Sequence, residues 1–151
     1  MKRMICLLLA VMTVFTMAAC GDKSATVDAA ALGAALAERV EFTTEMKEMS
    51  ADELGYFLEL PVKCEVGAYM STGATAEEIF VVECYNKTDA AALKVSIQSY
   101  LDSQKQEMER YQPEEVARLG GAIFATYGTC VILCVTSDTT TANTVIKEFT
   151  A

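Results

Sequence analysis

The sequence predicts an α+β domain: a four-stranded antiparallel sheet made of two hairpins joined by a long helix, with helices packed on the sheet. Three observations carry this. Two apolar segments, 62–70 and 79–85, share one alternating register. A second pair of strand-like segments flanks Gly128. Between the pairs lies a stretch of more than twenty residues with an apolar stripe at helical spacing.

Asp28 is placed to cap a first helix from Ala29 to about Val40, in which Leu32, Leu36 and Val40 recur four residues apart. Thr43 to Met49 is polar apart from Met46 and Met49 and is read as a connection. Ser50-Ala51-Asp52-Glu53 has the form of a capping box and opens a short helix through Leu54, Phe57 and Leu58, which ends before Pro61. From Val62 to Met70 the even positions are apolar, while Lys63, Glu65, Gly67 and Tyr69 face the other way, as in a half-buried strand. Ser71 to Glu78 is a loop. Phe80, Val82 and Cys84 continue the even-numbered set on a second strand, Ile79 to Tyr85. Pairing residue 64 with residue 84 puts both apolar sets on one face.

Thr88 or Asp89 opens the longest helix, which reaches Tyr111. Leu93, Ile97, Tyr100, Leu101, Met108 and Tyr111 form its stripe, interrupted by Gln104. Lys94, Gln98, Asp102, Lys105 and Glu109 lie opposite. Pro113 suits the first position of another helical turn, stopped by Gly120-Gly121. Ala122 to Tyr127 is a third strand, and Gly128 turns the chain. Cys130 to Val135 is continuously apolar, which marks a strand covered on both faces. Asp138 caps a last helix through Val145, Ile146 and Phe149.

The N-terminus has a separate purpose. Lys2 and Arg3 precede an apolar run from Met4 to Phe15, and Met17-Ala18-Ala19-Cys20-Gly21 has the form of a lipobox: an apolar residue, two small residues, then cysteine. The run is shorter than the roughly 20 residues a spanning helix needs. Residues 1–19 are therefore read as a lipoprotein signal peptide, residues 20–27 as a lipidated Cys20 with a short polar tether, and residues 28–151 as a single domain. Several acyl chains on Cys20 would hold the protein firmly to the extracytoplasmic face of the cell membrane, where one chain holds marginally.

Composition excludes several classes of function. Of twelve basic residues, two lie in the signal, which leaves ten against twenty-one acids and a net charge of −11 beyond it. That balance opposes binding to nucleic acid and to anionic lipid. The absence of histidine removes Ser-His-Asp and Cys-His catalysis and every His-ligated metal site. No cofactor is expected. An enzyme here would use Lys, Tyr, Cys or carboxylates alone.

Four cysteines follow the tether. Cys130 and Cys134 lie about 13 Å apart along one strand and are too distant to pair. Cys64 and Cys84 are cross-strand neighbours that either form a disulfide or remain buried thiols; no CxxC spacing suggests a metal. Ser71, Thr72 and Thr75 make the first hairpin loop rich in hydroxyls, suited to gripping a sugar or peptide, but Thr75-Ala76-Glu77-Glu78 also has the form of a capping box. With Tyr69 on the open face of the hairpin, Ser71, Thr72, Thr75, Glu77 and Glu78 are the candidate partner-binding residues. The pairs Asp52-Glu53, Glu77-Glu78 and Glu114-Glu115 are read as first-turn acids that complement helix dipoles. Tyr100 and Tyr111 are read as the edge of the core.

Several of these segments carry a resemblance. The lipobox, Ser71-Thr72-Gly73-Ala74-Thr75-Ala76-Glu77-Glu78-Ile79, the helix from Gln104-Lys105 to Tyr111, Pro113-Glu114-Glu115-Val116, and Tyr127-Gly128 before an apolar strand ending Ser137-Asp138 together resemble the Gram-positive lipoproteins of domain-of-unknown-function family 4358. The likeness runs from about Ala51 to Phe149. It implies no catalytic residues, because the family has no established activity. Cys130 and Cys134 depart from it, in a strand usually built of ordinary hydrophobes. The resemblance also implies an association with membrane O-acyltransferases of cell-surface polysaccharides. The expectation is a non-enzymatic binding or accessory subunit of an envelope complex. The alternatives are an envelope enzyme using Lys, Tyr or carboxylates, and a purely structural subunit.

Overall fold

The computed structural model describes residues 26–73 and 75–151. The expected signal, Cys20 and most of the tether lie outside the described residues. Five helices and five strands follow in the order α1 (Ala29–Arg39), β1 (Met46–Met49), α2 (Ala51–Leu54), β2 (Cys64–Ser71), β3 (Glu78–Cys84), α3 (Lys87–Tyr111), α4 (Pro113–Gly120), β4 (Ile123–Tyr127), β5 (Cys130–Val135) and α5 (Thr139–Thr150). The strands form one antiparallel sheet in the order β1-β2-β3-β5-β4.

Both hairpins form as expected. Cys64 faces Cys84 across β2 and β3, and Gly128 turns β4 into β5 with φ of 61°, a left-handed conformation that favours glycine. The sheet has five strands, not four. The segment read as a polar connection contains β1, which pairs with the end of β2 from Met46↔Ser71 to Met49↔Ala68. This edge strand is partly buried only at Met46 and Met49, with exposed Lys47 and Glu48 between them, so it lacks the alternation of a half-buried strand.

The helices cover both faces. Phe80, Val82, Val131 and Leu133 pack with Leu93, Ile97 and Leu101 of α3, with Leu54 of α2 and with Leu119 of α4. On the other face, Ile79, Val81, Ile132 and Cys134 pack with Leu32 and Leu36 of α1 and Val145 and Ile146 of α5. β3 and β5 are therefore buried along their whole length. The first hairpin has no open face, because α1 lies on the side assigned to solvent. Its approach is close: a Cβ at Gly67 would stand 2.0 Å from the carbonyl oxygen of Ala29, and one at Gly33 would stand 2.8 Å from that of Gly67. Only glycine lets the two backbones meet at this distance.

Capping explains most helix starts. Asp28 accepts from the N–H of Ala31, Asp138 from that of Thr141, and Ser50 and Glu53 complete a reciprocal capping box. Asn86 caps α3 by accepting from Asp89 N–H, so the helix begins slightly before the expected Thr88 or Asp89. Tyr111 at its end is 77% exposed and is not core edge. α2 is a single turn; Phe57 and Leu58 continue it only through hydrogen bonds back to the Leu54 carbonyl. Val62 is fully exposed and precedes the strand.

Candidate functional site

Ser71–Glu78 is not the open, gripping loop that its hydroxyls suggest. Ser71 Oγ shares a 2.6 Å hydrogen bond with Thr44 Oγ1 and accepts from Thr75 Oγ1 at 2.7 Å. Thr72 Oγ1 donates to the Glu45 carbonyl at 3.1 Å. These bonds fasten the loop to the segment entering β1. No helix begins at Thr75: its hydroxyl reaches Ser71 and Glu77 rather than a helical N–H, and Glu78 opens β3. Both the capping-box reading and the first-turn reading of Glu77-Glu78 are thereby corrected; the acids of Asp52-Glu53 and Glu114-Glu115 do lie in first turns.

Glu77 is 1% exposed. Its carboxylate accepts from the Thr43 N–H at 2.9 and 3.0 Å, from Thr43 Oγ1 at 2.9 Å and from Thr75 Oγ1 at 3.1 Å. Arg118 from α4 stands 3.8 Å away. Its Nη1 donates to both oxygens of Glu115, at 2.7 and 3.0 Å, while Nη2 and Nε reach Thr43 Oγ1 and Ser137 Oγ at 3.3 Å each. Glu115 also accepts from the Ala76 N–H at 2.9 Å. One guanidinium thus ties two buried carboxylates and four separate chain segments together. Thr43 and Arg118 carry no local signal of this role, because their partners lie far away in the chain.

Glu78 faces the opposite layer and is 4% exposed. Tyr100 Oη of α3 donates to its Oε2 at 2.6 Å, and Oε1 has no partner among the described residues. Burial pushes the carboxyl up to about 8, against the opposing effect of the tyrosine hydrogen bond. Burial, then the adjacent Glu78, raises the Tyr100 phenol. Tyr100 packs against Phe80 and Phe57 with ring centroids 5.8 and 6.3 Å away.

Tyr69 is half-buried and packs in the layer beneath α1, not on an open face. Cys64 and Cys84 are in direct register and stand as free thiols. Cys130 and Cys134 are both fully buried on β5. Burial is the largest cause pushing Cys84 up to about 11 and Cys130 and Cys134 up to about 12. Thiols in that range are protonated at neutral pH and are poor nucleophiles. Among the described residues, no group of three or more Cys, Asp and Glu is arranged to hold a metal ion.

Ser71 and Thr72 also border a surface groove, beside two exposed aromatic residues. Tyr56 and Phe57, just after α2, are 87% and 45% exposed. They line two grooves: one of about 630 Å³ against Val95, Ser96 and Tyr100 of α3, the other of about 470 Å³ against Met49 of β1 and Met70 of β2. β1 is an edge of the sheet, with one strand neighbour. Phe57 is expected on the short helix and Tyr56 carries no assignment; α2 ends at Leu54, and both rings lie outside it.

Among the described residues no helix is long and apolar enough to cross a membrane. No curated protein and no solved structure matches the chain. Residues 38–136, from the end of α1 to the residue after β5, match the model of a family described as Domain of unknown function (DUF4358). The match spans all five strands and both halves of the Glu77–Arg118 cluster, and the chain belongs to that family.

Proposed function

We propose that the chain is a membrane-anchored extracytoplasmic lipoprotein that acts without catalysis, as a binding or accessory subunit of a cell-envelope complex. The lipobox at Cys20 supports the anchoring. The exposed Tyr56–Phe57 pair beside the β1 edge is the observation that carries the binding reading. Aromatic side chains dominate interface hot spots, and a free strand edge offers unpaired backbone groups to a partner. The partner proposed is an envelope membrane protein, with polysaccharide O-acyltransferase systems the class that the sequence resemblance implies. Ser71 and Thr72 of the first hairpin loop border the same groove, while Thr75 and Glu77 are engaged with one another.

Affinity capture from detergent-solubilised membranes tests it. The native chain should retain a membrane protein, and the double variant Tyr56→Ala/Phe57→Ala should lose at least tenfold of it, as expected when interface aromatics worth about 2 kcal/mol or more are removed. Equal recovery by both proteins would remove the binding reading. Anchoring has its own test: Cys20→Ala should leave an unprocessed precursor that no longer takes up a fatty-acid probe.

The enzyme alternative rests on Glu78 and Tyr100, a carboxyl raised toward neutrality beside a phenol that lines a groove. Tyr100→Phe distinguishes it. A folded variant that keeps its partner but loses all cellular activity would replace the binding reading with a catalytic one.

A further inference from the structure

A cavity of about 780 Å³ lies between the start of α1 and the adjoining ends of β2 and β3. Its walls include Asp28, Lys63, Glu65, Glu83, Tyr85 and Thr129. Glu83 is the unusual member. It is 7% exposed; Thr129 Oγ1 donates to its Oε1, and its Oε2, closed off from solvent, has no hydrogen-bond partner among the described residues. Glu65 is its direct cross-strand neighbour, so two carboxylates share one face at this end of the sheet. Like charges directly opposite one another destabilise a strand pair, and a buried acceptor without a donor carries a desolvation cost. Lys63 does not relieve either strain: its Nζ sits 5.4 Å over the Tyr85 ring, and it is in none of the ion pairs among the described residues.

We propose that this cavity binds a primary ammonium group, with Glu83 as its buried counter-ion and Glu65 and Asp28 completing an acidic mouth. An ammonium brings three donors and one positive charge. It would neutralise the buried Glu83 carboxyl and screen the Glu65–Glu83 repulsion together, whereas a neutral hydroxyl would do neither. A metal ion would need more ligands than the described residues converge. The ammonium has two possible sources, a soluble amine or the headgroup of an aminolipid. Thr26, which also lines the cavity, is six residues from Cys20, a separation of at most about 20 Å at full extension. A chain anchored at Cys20 therefore holds the cavity within reach of headgroups.

Thr26, Val27, Asp28 and Thr129 line the cavity, so protection of their amides from hydrogen exchange reports occupancy. The full chain in phosphatidylcholine nanodiscs is titrated with ethanolamine, choline and ethylene glycol. Ethanolamine should protect these amides saturably. Choline, which has no N–H, should be at least tenfold weaker, and ethylene glycol should give no protection. Glu83→Gln should abolish the effect, and Glu65→Gln, at the exposed mouth, should weaken it several-fold and serves if the first variant does not fold. No saturable protection, equal protection by ethylene glycol, or an unchanged response in the folded variants would overturn the proposal. Adding phosphatidylethanolamine to the nanodiscs separates the sources. Glu83-dependent protection by the lipid assigns the headgroup, and protection by free ethanolamine alone assigns a soluble amine. The soluble arm can be repeated in detergent with Cys20→Ala, so failure of the anchoring and failure of the amine site are distinguishable.

Discussion

Replacing Glu78 with glutamine should change how stability depends on pH. Glutamine keeps the shape and an acceptor for the Tyr100 hydroxyl, which donates at 2.6 Å in the native protein, but it cannot ionise. Burial raises the native carboxyl from its ordinary value of about 4.5 to about 8. Below about pH 4.5 the group is protonated in both folded and unfolded chains and costs nothing. Between 4.5 and 8 the unfolded chain releases the proton while the folded chain keeps it, so native stability falls as pH rises. Above 8 both states are ionised, and the full penalty remains. At about 1.4 kcal/mol per pH unit, the loss approaches about 5 kcal/mol across the window and about 3 kcal/mol by pH 7. Urea denaturation of wild type and Glu78→Gln at half-unit steps from pH 4.5 to 9 measures it. Groups held low, such as Glu53 and Asp138, affect both proteins alike and cancel in the difference. The glutamine variant should gain steadily on wild type up to about pH 8 and then run parallel to it. Parallel profiles throughout would show that Glu78 ionises freely in the folded chain and would refute the argument from burial.

Three further outcomes follow from the packing. Gly67→Ala should destabilise by about 3 kcal/mol or more, or prevent folding, because the new Cβ would meet the Ala29 carbonyl at 2.0 Å; Gly120→Ala, with nothing within 4 Å, should be neutral or slightly stabilising in the same urea assay. Arg118→Ala should cost about 3–5 kcal/mol, since it leaves Glu77 and Glu115 buried without their cation; a loss below 1 kcal/mol would mean that water reaches them freely. With a thiol reagent at neutral pH, Cys64 should react first while Cys130 and Cys134, both 0% exposed, react only on unfolding. Rapid native labelling of those two would contradict the burial of β5.

The strands that sequence reading placed best are those whose side-chain pattern is decided by their immediate neighbours. β2 alternates, and the β2–β3 register followed from matching two apolar sets. β5 is apolar throughout because helices cover both of its faces. The β1 segment was opaque because Lys47 and Glu48 sit on a sheet edge, where charge is tolerated. Phe80, Val82 and Cys84 define one face of β3, and the equally buried Ile79 and Val81 show that its other face is covered as well. Tyr69 lies on that covered side, beneath α1. The acids misled for a related reason. Glu77 has the local surroundings of a helix-capping segment, but its hydrogen bonds come from Thr43, 34 residues away, as well as from its neighbour Thr75. Nothing in Thr75-Ala76-Glu77-Glu78 encodes that choice.

The backbone contact between α1 and β2 has a mechanical consequence for a protein held by its N-terminus. Under the proposed anchoring, any pull between the membrane and a bound partner enters the domain through Val27, which is itself buried at the start of α1. α1 crosses β2 where Gly33 and Gly67 interlock, and its last turn is clasped to α5 through Arg39 and Glu148 at 2.6 Å. Sliding the helix along the strand would press the Ala29 carbonyl against the Gly67 backbone before any side chain could yield. The load would therefore pass from α1 into β2, the strand it interlocks with.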